Sequence, residues 1–150
     1  MSIQQLAINE VPTIGRIGPR PDGVDNDFWS GLAIGELRMQ QCADCGEWYF
    51  LVWRCGRCGS WDVPWVATPQ VGRIYSWIRT YQPFAKEFVD ILPYVTVLVE
   101  LPAAGKRRLL GVLVGDQDGL KIGAEVVGVI QEPSDLTNGK PVLRWELARS

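Results

Sequence analysis

Two closely spaced cysteine pairs constrain this chain more than any other feature of its sequence. Its only cysteines are Cys42, Cys45, Cys55 and Cys58, arranged as two C-x2-C pairs that are each followed by glycine. A C-x2-C turn brings two sulfurs to one point, and the glycine lets the backbone turn tightly. Two such turns supply four sulfurs in a tetrahedron, the arrangement that zinc prefers.

Three other uses of the four thiols stay open on spacing alone. Two disulfides would suit an oxidising compartment, but the first residues lack the basic start and apolar stretch of a secretory signal, so we expect a cytoplasmic protein. Iron in a rubredoxin-like site would use the same four ligands. A redox dithiol would use one pair and leave the other unexplained. Since four protein ligands leave no open coordination position, the sequence predicts one structural zinc ion per chain.

Composition excludes several classes of function. The chain has no histidine, so Ser-His and Cys-His nucleophilic machinery and histidine metal ligands are absent. Its formal net charge is −2, and residues 68–150 carry 10 basic and 9 acidic side chains. Nonspecific nucleic-acid binding depends on an excess of Lys and Arg, so we expect none here. No apolar run reaches the roughly 18–20 residues of a membrane helix.

The residue pattern divides the chain into three parts. Residues 1–24 contain three prolines and three glycines and predict an extended arm, which is either disordered or wrapped around a partner. Residues 25–67 predict a short helix, capped at Asp25 or Asn26 and ending at Gly35, followed by the zinc ribbon. Its strands are predicted at 37–41 and 48–52, with 61–67 leading out of the second cysteine pair.

Residues 68–150 predict five short strands at 72–81, 94–101, 108–114, 125–131 and 142–147. Glycines inside the third and fourth strands fit the bends of a small barrel, and a five-stranded OB-fold is the simplest closed arrangement. The fold class is therefore mostly β, an N-terminal helix and zinc ribbon followed by an OB-fold barrel.

Large aromatic side chains have two interpretations. Five of the seven tryptophans lie in residues 29–65, where they either pack inside the ribbon and against the barrel or form an exposed binding face. On the first barrel strand, period-two alternation places Tyr75, Trp77 and Tyr81 on one face, with Ile74 and Ile78 on the other. Such a stripe is typical of a barrel core or an interface, and the alternative is a surface that stacks bases.

In this order of motifs the chain resembles a known family, the rubredoxin-like zinc ribbons fused to an OB-fold that accompany CoA-ester enzymes. The resemblance spans about residues 25–133. It rests on the segments "FW" at 28–29, "LRMQQCADCG" at 37–46, "CGRCG" at 55–59, "GRIYSW" at 72–77, "PYV" at 93–95 and "LKIGAEV" at 120–126. Members include the small subunit of benzoylsuccinyl-CoA thiolase and other small subunits of thiolase-like enzymes.

The resemblance implies a non-catalytic, zinc-binding accessory subunit that joins a thiolase-fold subunit in a hetero-oligomer and helps to hold an acyl-CoA. No residue of this chain is expected to be catalytic. Phe84 and Phe88, in an apolar loop between prolines, are candidates for a wall of the acyl pocket or for a lid over the barrel core. Lys106, Arg107 and Arg108 are candidates for binding the phosphates of CoA, or they form a solvated turn. A nucleic-acid-binding module is the alternative function.

Overall fold

A computed structural model of the chain describes residues 5–13 and 17–149. Within these ranges one α-helix and a three-stranded sheet precede a five-stranded sheet. Helix α1 spans Asn26–Ala33. The smaller sheet contains β1 (Leu37–Gln41), β2 (Trp48–Tyr49) and β3 (Trp65–Thr68). The larger sheet contains β4 (Val71–Thr80), β5 (Tyr94–Leu101), β6 (Arg107–Val112), β7 (Glu125–Gln131) and β8 (Val142–Leu147). The mostly β fold expected from the sequence is confirmed.

Helix α1 lies where the sequence places it, although its start differs from expectation in one respect. Asp25 occupies the N-cap position but makes no side-chain capping bond. Its carboxylate instead accepts hydrogen bonds from the backbone N–H of Arg20 (2.7 Å) and the indole N–H of Trp29 (3.0 Å), and so ties the chain before the helix to its first turn. Gly35 ends the helix with φ +85°, a conformation that favours glycine. Among the described residues no helix is long and apolar enough to cross a membrane.

The smaller sheet has the order β2-β1-β3, and all its pairs are antiparallel. Strand β2 is shorter than the predicted 48–52, and a side chain explains why. The side-chain amide of Gln40 donates to the carbonyl of Val52 and accepts from its N–H, both at 2.8 Å. These two bonds take the place of backbone pairing between β1 and the residues after β2. Strand β2 is thus a two-residue edge strand.

The larger sheet has the order β6-β5-β4-β7-β8 and curls until Leu113, just after β6, bridges Trp145 of β8 in parallel. This half-closed barrel is OB-like. Trp145 is fully buried, and a Cβ added to Gly111 would lie 2.6 Å from its ring. The glycine expected to bend the strand therefore also admits a tryptophan into the barrel.

The main core continues from the barrel into the helix and the first ribbon strand. Inward-facing side chains of β5, such as Val97 and Val99, are fully buried. Leu32 of α1 and Leu37 and Met39 of β1 belong to the same apolar cluster. The base of the ribbon is thus anchored in the barrel core.

A β-bulge in β4 overturns the predicted alternation along that strand. The register with β5 shifts between Ile74 and Ser76. Before the bulge the even-numbered Ile74 is buried, whereas beyond it the odd-numbered Trp77 packs against the core. Tyr75 at the bulge and Ile78 beyond it are exposed. The assignment of Tyr75 and Trp77 to one face was wrong, because an extra residue reverses every later side chain.

The described part of the arm lies on its own barrel. Leu6 and Val11 are buried in a second apolar cluster with Phe88 and Tyr94. The Gln131 side chain donates to the Val11 carbonyl at 2.8 Å and thereby holds the backbone of the arm. The extended arm predicted for residues 1–24 also includes residues 1–4 and 14–16, which lie outside the described residues.

Candidate metal centre

Both cysteine turns adopt the same hydrogen-bonded conformation. In the first, the N–H of Cys42 donates to the carbonyl of Glu47 and the N–H of Gly46 donates to that of Cys42. In the second, the N–H of Cys55 donates to the carbonyl of Ser60 and the N–H of Gly59 donates to the carbonyl of Cys55. Gly46 and Gly59 have φ of +80° and +81°, a conformation that side chains with a Cβ rarely adopt. The glycine after each pair therefore permits the tight turn.

The two turns bring all four sulfurs together. The ligand atoms of the four cysteines lie within 4.8 Å of one another. Between the turns, the sulfurs of Cys42 and Cys58 lie 3.6 Å apart and those of Cys45 and Cys55 lie 3.5 Å apart. A disulfide needs about 2.05 Å. Four thiolates at about 2.3 Å from a central metal would be roughly 3.8 Å apart. The donor set and its spacing fit a closed structural metal site.

The four thiols differ in their electrostatic surroundings. Burial on its own raises the pKa of Cys55. The Tyr49 hydroxyl outweighs this effect, together with the backbone N–H groups of Cys58 and Arg57, and the pKa falls to about 6. For Cys58 the N–H of Ser60 lowers the pKa, but burial and hydrogen bonding with the other thiols raise it to about 12. A cation among the sulfurs favours thiolate at every position.

Tyr49 belongs to this site, and sequence reasoning missed it. Its hydroxyl lies 3.2 Å from the Cys55 sulfur, close enough to donate a hydrogen bond to a thiolate. That bond, with a contribution from burial, raises the pKa of Tyr49, so the hydroxyl keeps its proton. The sequence signal was slight: a tyrosine in a short strand between two cysteine pairs does not reveal where its hydroxyl points.

The basic turn at the start of β6 lies beside the ribbon. Lys106 is exposed and has φ +60°. Arg107 pairs with Glu47 of the ribbon at 3.2 Å. Arg108 lies 3.6 Å from the carboxylate of Glu100, and its guanidinium stacks 3.5 Å from the ring centre of Tyr75. A groove of about 430 Å³, lined by Phe50, Gly105 and these three cations, opens at this junction.

The structure separates the two loop phenylalanines. Phe88 is 7% exposed and packs edge-on against Tyr94, with ring centres 4.9 Å apart. Phe84 is 81% exposed. The two therefore do not form one surface: Phe88 covers the barrel together with the arm, and Phe84 is presented to solvent.

The ribbon tryptophans also divide into two groups. Trp29, Trp48 and Trp65 pack against the main core. Trp53 and Trp61 are 55% and 72% exposed, and the guanidinium of Arg54 lies over the Trp61 ring at 5.5 Å. Three of the five tryptophans therefore pack against the core, and the other two are exposed.

Comparisons with known proteins match both parts of the chain. The profile described as "ChsH2, rubredoxin-like zinc ribbon domain" matches residues 29–52, which include Cys42 and Cys45. The profile described as "ChsH2, C-terminal OB-fold domain" matches residues 65–131. No curated protein matches the chain.

Two solved structures extend the likeness. One, described as "Ltp2-ChsH2(DUF35) aldolase", is 27% identical, covers 89% of this chain and 100% of its own, and superposes with a TM-score of 0.75. A DUF35-family protein of unknown function from Sulfolobus solfataricus is 19% identical over 87% of each chain, with a TM-score of 0.57, and supports the fold alone. The resemblance found in the sequence is confirmed: residues 29–52 match the ChsH2 rubredoxin-like zinc ribbon domain and residues 65–131 match the ChsH2 C-terminal OB-fold domain.

Proposed function

We propose that this chain is a non-catalytic, zinc-binding accessory subunit of a thiolase-like CoA-ester enzyme, a thiolase, aldolase or acyltransferase. The observation that carries the proposal is the likeness to the chain in the Ltp2-ChsH2 aldolase, which is matched over its whole length. That aldolase is described as ChsH2 together with a second protein, Ltp2. By analogy, the partner of this chain is a thiolase-fold subunit in a hetero-oligomer.

The metal in this proposal is one structural zinc ion held by Cys42, Cys45, Cys55 and Cys58. Four sulfur ligands in closed tetrahedral spacing support zinc, which binds thiolates and needs no open position in a structural site. Free thiols gathered at one point suit a reducing compartment such as the cytoplasm. In this proposal residues 25–67 form the helix and zinc ribbon, and residues 68–150 form the OB-fold domain.

Catalysis is assigned to the partner because this chain lacks the groups for acyl transfer. It has no histidine to act as a general base, and its four thiols face one another. A cysteine committed to a structural metal is not available as a nucleophile. The contribution of this chain is therefore to bind and to shape the site of another subunit.

The exposed aromatic side chains support partner binding. Trp53 and Trp61 on the ribbon and Phe84 on the barrel loop are large, apolar and largely exposed. Interfaces concentrate binding energy in such side chains. Because Phe88 lies in the core of its own barrel, Phe84 is the member of the pair proposed to contact the partner or the acyl chain of a CoA ester.

The basic turn is the proposed contact for the phosphates of CoA. Lys106 carries this assignment best, since it is exposed at the mouth of the groove beside the ribbon. Arg107 and Arg108 have protein partners already and supply positive charge to the same groove. A lysine binds phosphate as a point charge.

Co-expression tests the proposal. The tagged full chain is produced together with the products of its neighbouring genes, and any complex is purified and assayed for thiolysis and retro-aldol cleavage of CoA esters. We expect copurification, with activity in the complex and none in this chain alone. A chain that stays monomeric beside its neighbour rejects the function, and salt-dependent oligonucleotide binding favours the nucleic-acid alternative.

Lys106→Gln separates a role in CoA binding from a role in assembly. If Lys106 contacts the phosphates, the variant complex assembles normally and its KM for the CoA ester rises. Glu132→Gln, an exposed charge change elsewhere on the barrel, is the control. An unchanged KM for Lys106→Gln removes Lys106 from the CoA site and leaves the accessory role intact.

A further inference from the structure

Arg107 belongs to the barrel, but its guanidinium contacts three consecutive residues of the ribbon. Its Nε donates to the Trp48 carbonyl at 2.6 Å, and a terminal nitrogen lies 3.2 Å from a carboxylate oxygen of Glu47. Its central carbon lies 5.1 Å from the ring centre of Tyr49, within range of a cation–π contact. One side chain therefore fixes the backbone, a charge and an aromatic ring in strand β2 and the residue before it.

Strand β2 has little backbone support of its own, although the Trp48 side chain packs against the main core. It is two residues long, lies at the edge of its sheet and pairs only with Gln40 and Gln41 of β1. Arg107 binds the edge that β1 leaves free. The turn before Arg107 is close as well: a Cβ on Gly105 would lie 2.8 Å from a Trp48 ring carbon.

Two of the three residues that Arg107 contacts, Tyr49 and Glu47, also contact the second cysteine turn. The Tyr49 ring ends in the hydroxyl that lies 3.2 Å from the Cys55 sulfur. The other carboxylate oxygen of Glu47 lies 3.4 Å from the guanidinium of Arg57, which is situated between Cys55 and Cys58. The contacts thus run without interruption from the barrel to the cysteine cluster.

We propose that Arg107 is a positioning residue for the metal site: it holds the Tyr49 hydroxyl on the Cys55 sulfur and thereby slows loss of the metal. This inference rests on the proposed zinc ion. It gives Arg107 a different task from the CoA contact expected from its sequence, since its Nε and one terminal nitrogen are directed into the ribbon. Groups that hydrogen-bond metal ligands orient them and commonly alter metal affinity by about 10–100-fold.

Metal release from the full chain tests the proposal. Metal content is measured first, and the zinc-loaded chain is then mixed with a chromophoric chelator. We expect Tyr49→Phe and Arg107→Met to release zinc about 10–100-fold faster than the wild-type chain. Arg107→Lys, which keeps the charge but lacks the planar fork, should fall between.

Arg79→Met is the matched control. Arg79 is a barrel arginine whose guanidinium lies 5.3 Å from the ring centre of Trp77 and donates to Gln117, so it also combines a hydrogen bond with an aromatic contact, but both partners belong to the barrel. We expect it to release zinc at the wild-type rate. Equal acceleration by Arg79→Met and Arg107→Met would show general destabilisation and overturn the proposal.

The cobalt-substituted chain adds a readout that general destabilisation does not move. Loss of the hydrogen bond to Cys55 shifts the thiolate-to-cobalt charge-transfer band, so Tyr49→Phe and Arg107→Met should shift it in one direction, and the double variant no further. An unshifted band with a wild-type release rate in Arg107→Met, or additive shifts in the double variant, rejects the positioning role. A wild-type chain that contains no zinc contradicts the metal assignment itself.

Discussion

The ribbon and the barrel are stabilised in different ways. The barrel core contains a strand, β5, whose inward side chains are all fully or almost fully buried, backed by Trp145. At the tip of the ribbon, the described apolar cluster has only three buried members. They are Val63 and the two cysteines Cys42 and Cys55. Burial of apolar area drives the folding of the barrel, whereas so small a cluster cannot by itself stabilise the ribbon tip. From this comparison we expect only the ribbon tip to need the proposed metal.

The dividing line falls inside the ribbon rather than at its end. Strand β1 places Leu37 and Met39 in the barrel core, and helix α1 adds Phe28 and Leu32. We expect residues 42–63, which follow β1, to depend on the cysteine cluster. Two contacts by which the barrel also supports this part are the packing of Trp48 against the main core and the pairing of Arg107 with Glu47.

The largest effect is expected from Cys45→Ser. Structural zinc contributes on the order of 10–16 kcal/mol in small sites, so this variant should lose its metal and the structure of residues 42–63 while the barrel strands persist. Metal content and near-ultraviolet circular dichroism of the ribbon tryptophans measure the change. Ser60→Ala, in the second cysteine turn, is the control and should keep one metal ion. A Cys45→Ser chain with a full equivalent of metal contradicts the assignment.

The next effect belongs to the barrel and separates the two loop phenylalanines. Phe88→Ala removes a buried ring from the second apolar cluster and should lower the free energy of unfolding by about 3–5 kcal/mol. Phe84→Ala removes an exposed ring and should change it by less than about 0.5 kcal/mol. Urea denaturation measures both, with metal content unchanged. Equal effects of the two substitutions would contradict the burial described here.

A third effect tests whether the arm belongs to the barrel. Gln131 is fully buried, donates to the Val11 carbonyl and accepts from the buried guanidinium of Arg144 at 2.9 Å. Gln131→Leu leaves both partners unsatisfied and should cost about 1.5–3 kcal/mol, because a hydrogen bond to a charged group is lost. The arm should also become sensitive to proteases.

Gln117→Leu is the control for that substitution. Gln117 accepts a hydrogen bond from Arg79 at 2.9 Å in a partly exposed position, where water replaces it. We expect a cost below about 1 kcal/mol. Should Gln131→Leu leave arm cleavage and stability unaltered, the arm is not held by this contact.

The smallest effect on stability is expected at the ribbon surface. Trp61→Ala should change the free energy of unfolding by less than about 0.5 kcal/mol, since Trp61 is mainly exposed. Trp65 packs against Phe28 and donates a hydrogen bond to the Val24 carbonyl, so Trp65→Ala should lower the free energy of unfolding several times more than Trp61→Ala. If Trp61 contacts the partner subunit, its variant binds that subunit at least about tenfold more weakly, as titration calorimetry would detect.

Several features could be predicted from the sequence because they depend on local pattern. Paired C-x2-C-G turns specify the cysteine cluster, and runs of β-branched and other apolar residues between turn residues indicated the limits of β5, β7 and β8. The bulge at Tyr75 could not be predicted, since one unpaired residue leaves no trace in composition. Nor could the contact between Tyr49 and Arg107, which are 58 positions apart in the chain.

Hydrogen exchange with and without a metal chelator tests the difference between the two regions most directly. Backbone amides are followed by mass spectrometry in the full chain. Removal of the metal should abolish protection across residues 42–63, while the amides of β5, residues 94–101, remain protected for as long as before. Loss of protection in both regions together, or unchanged protection in residues 42–63, would contradict the conclusion that the metal stabilises the ribbon tip and that the barrel folds without it.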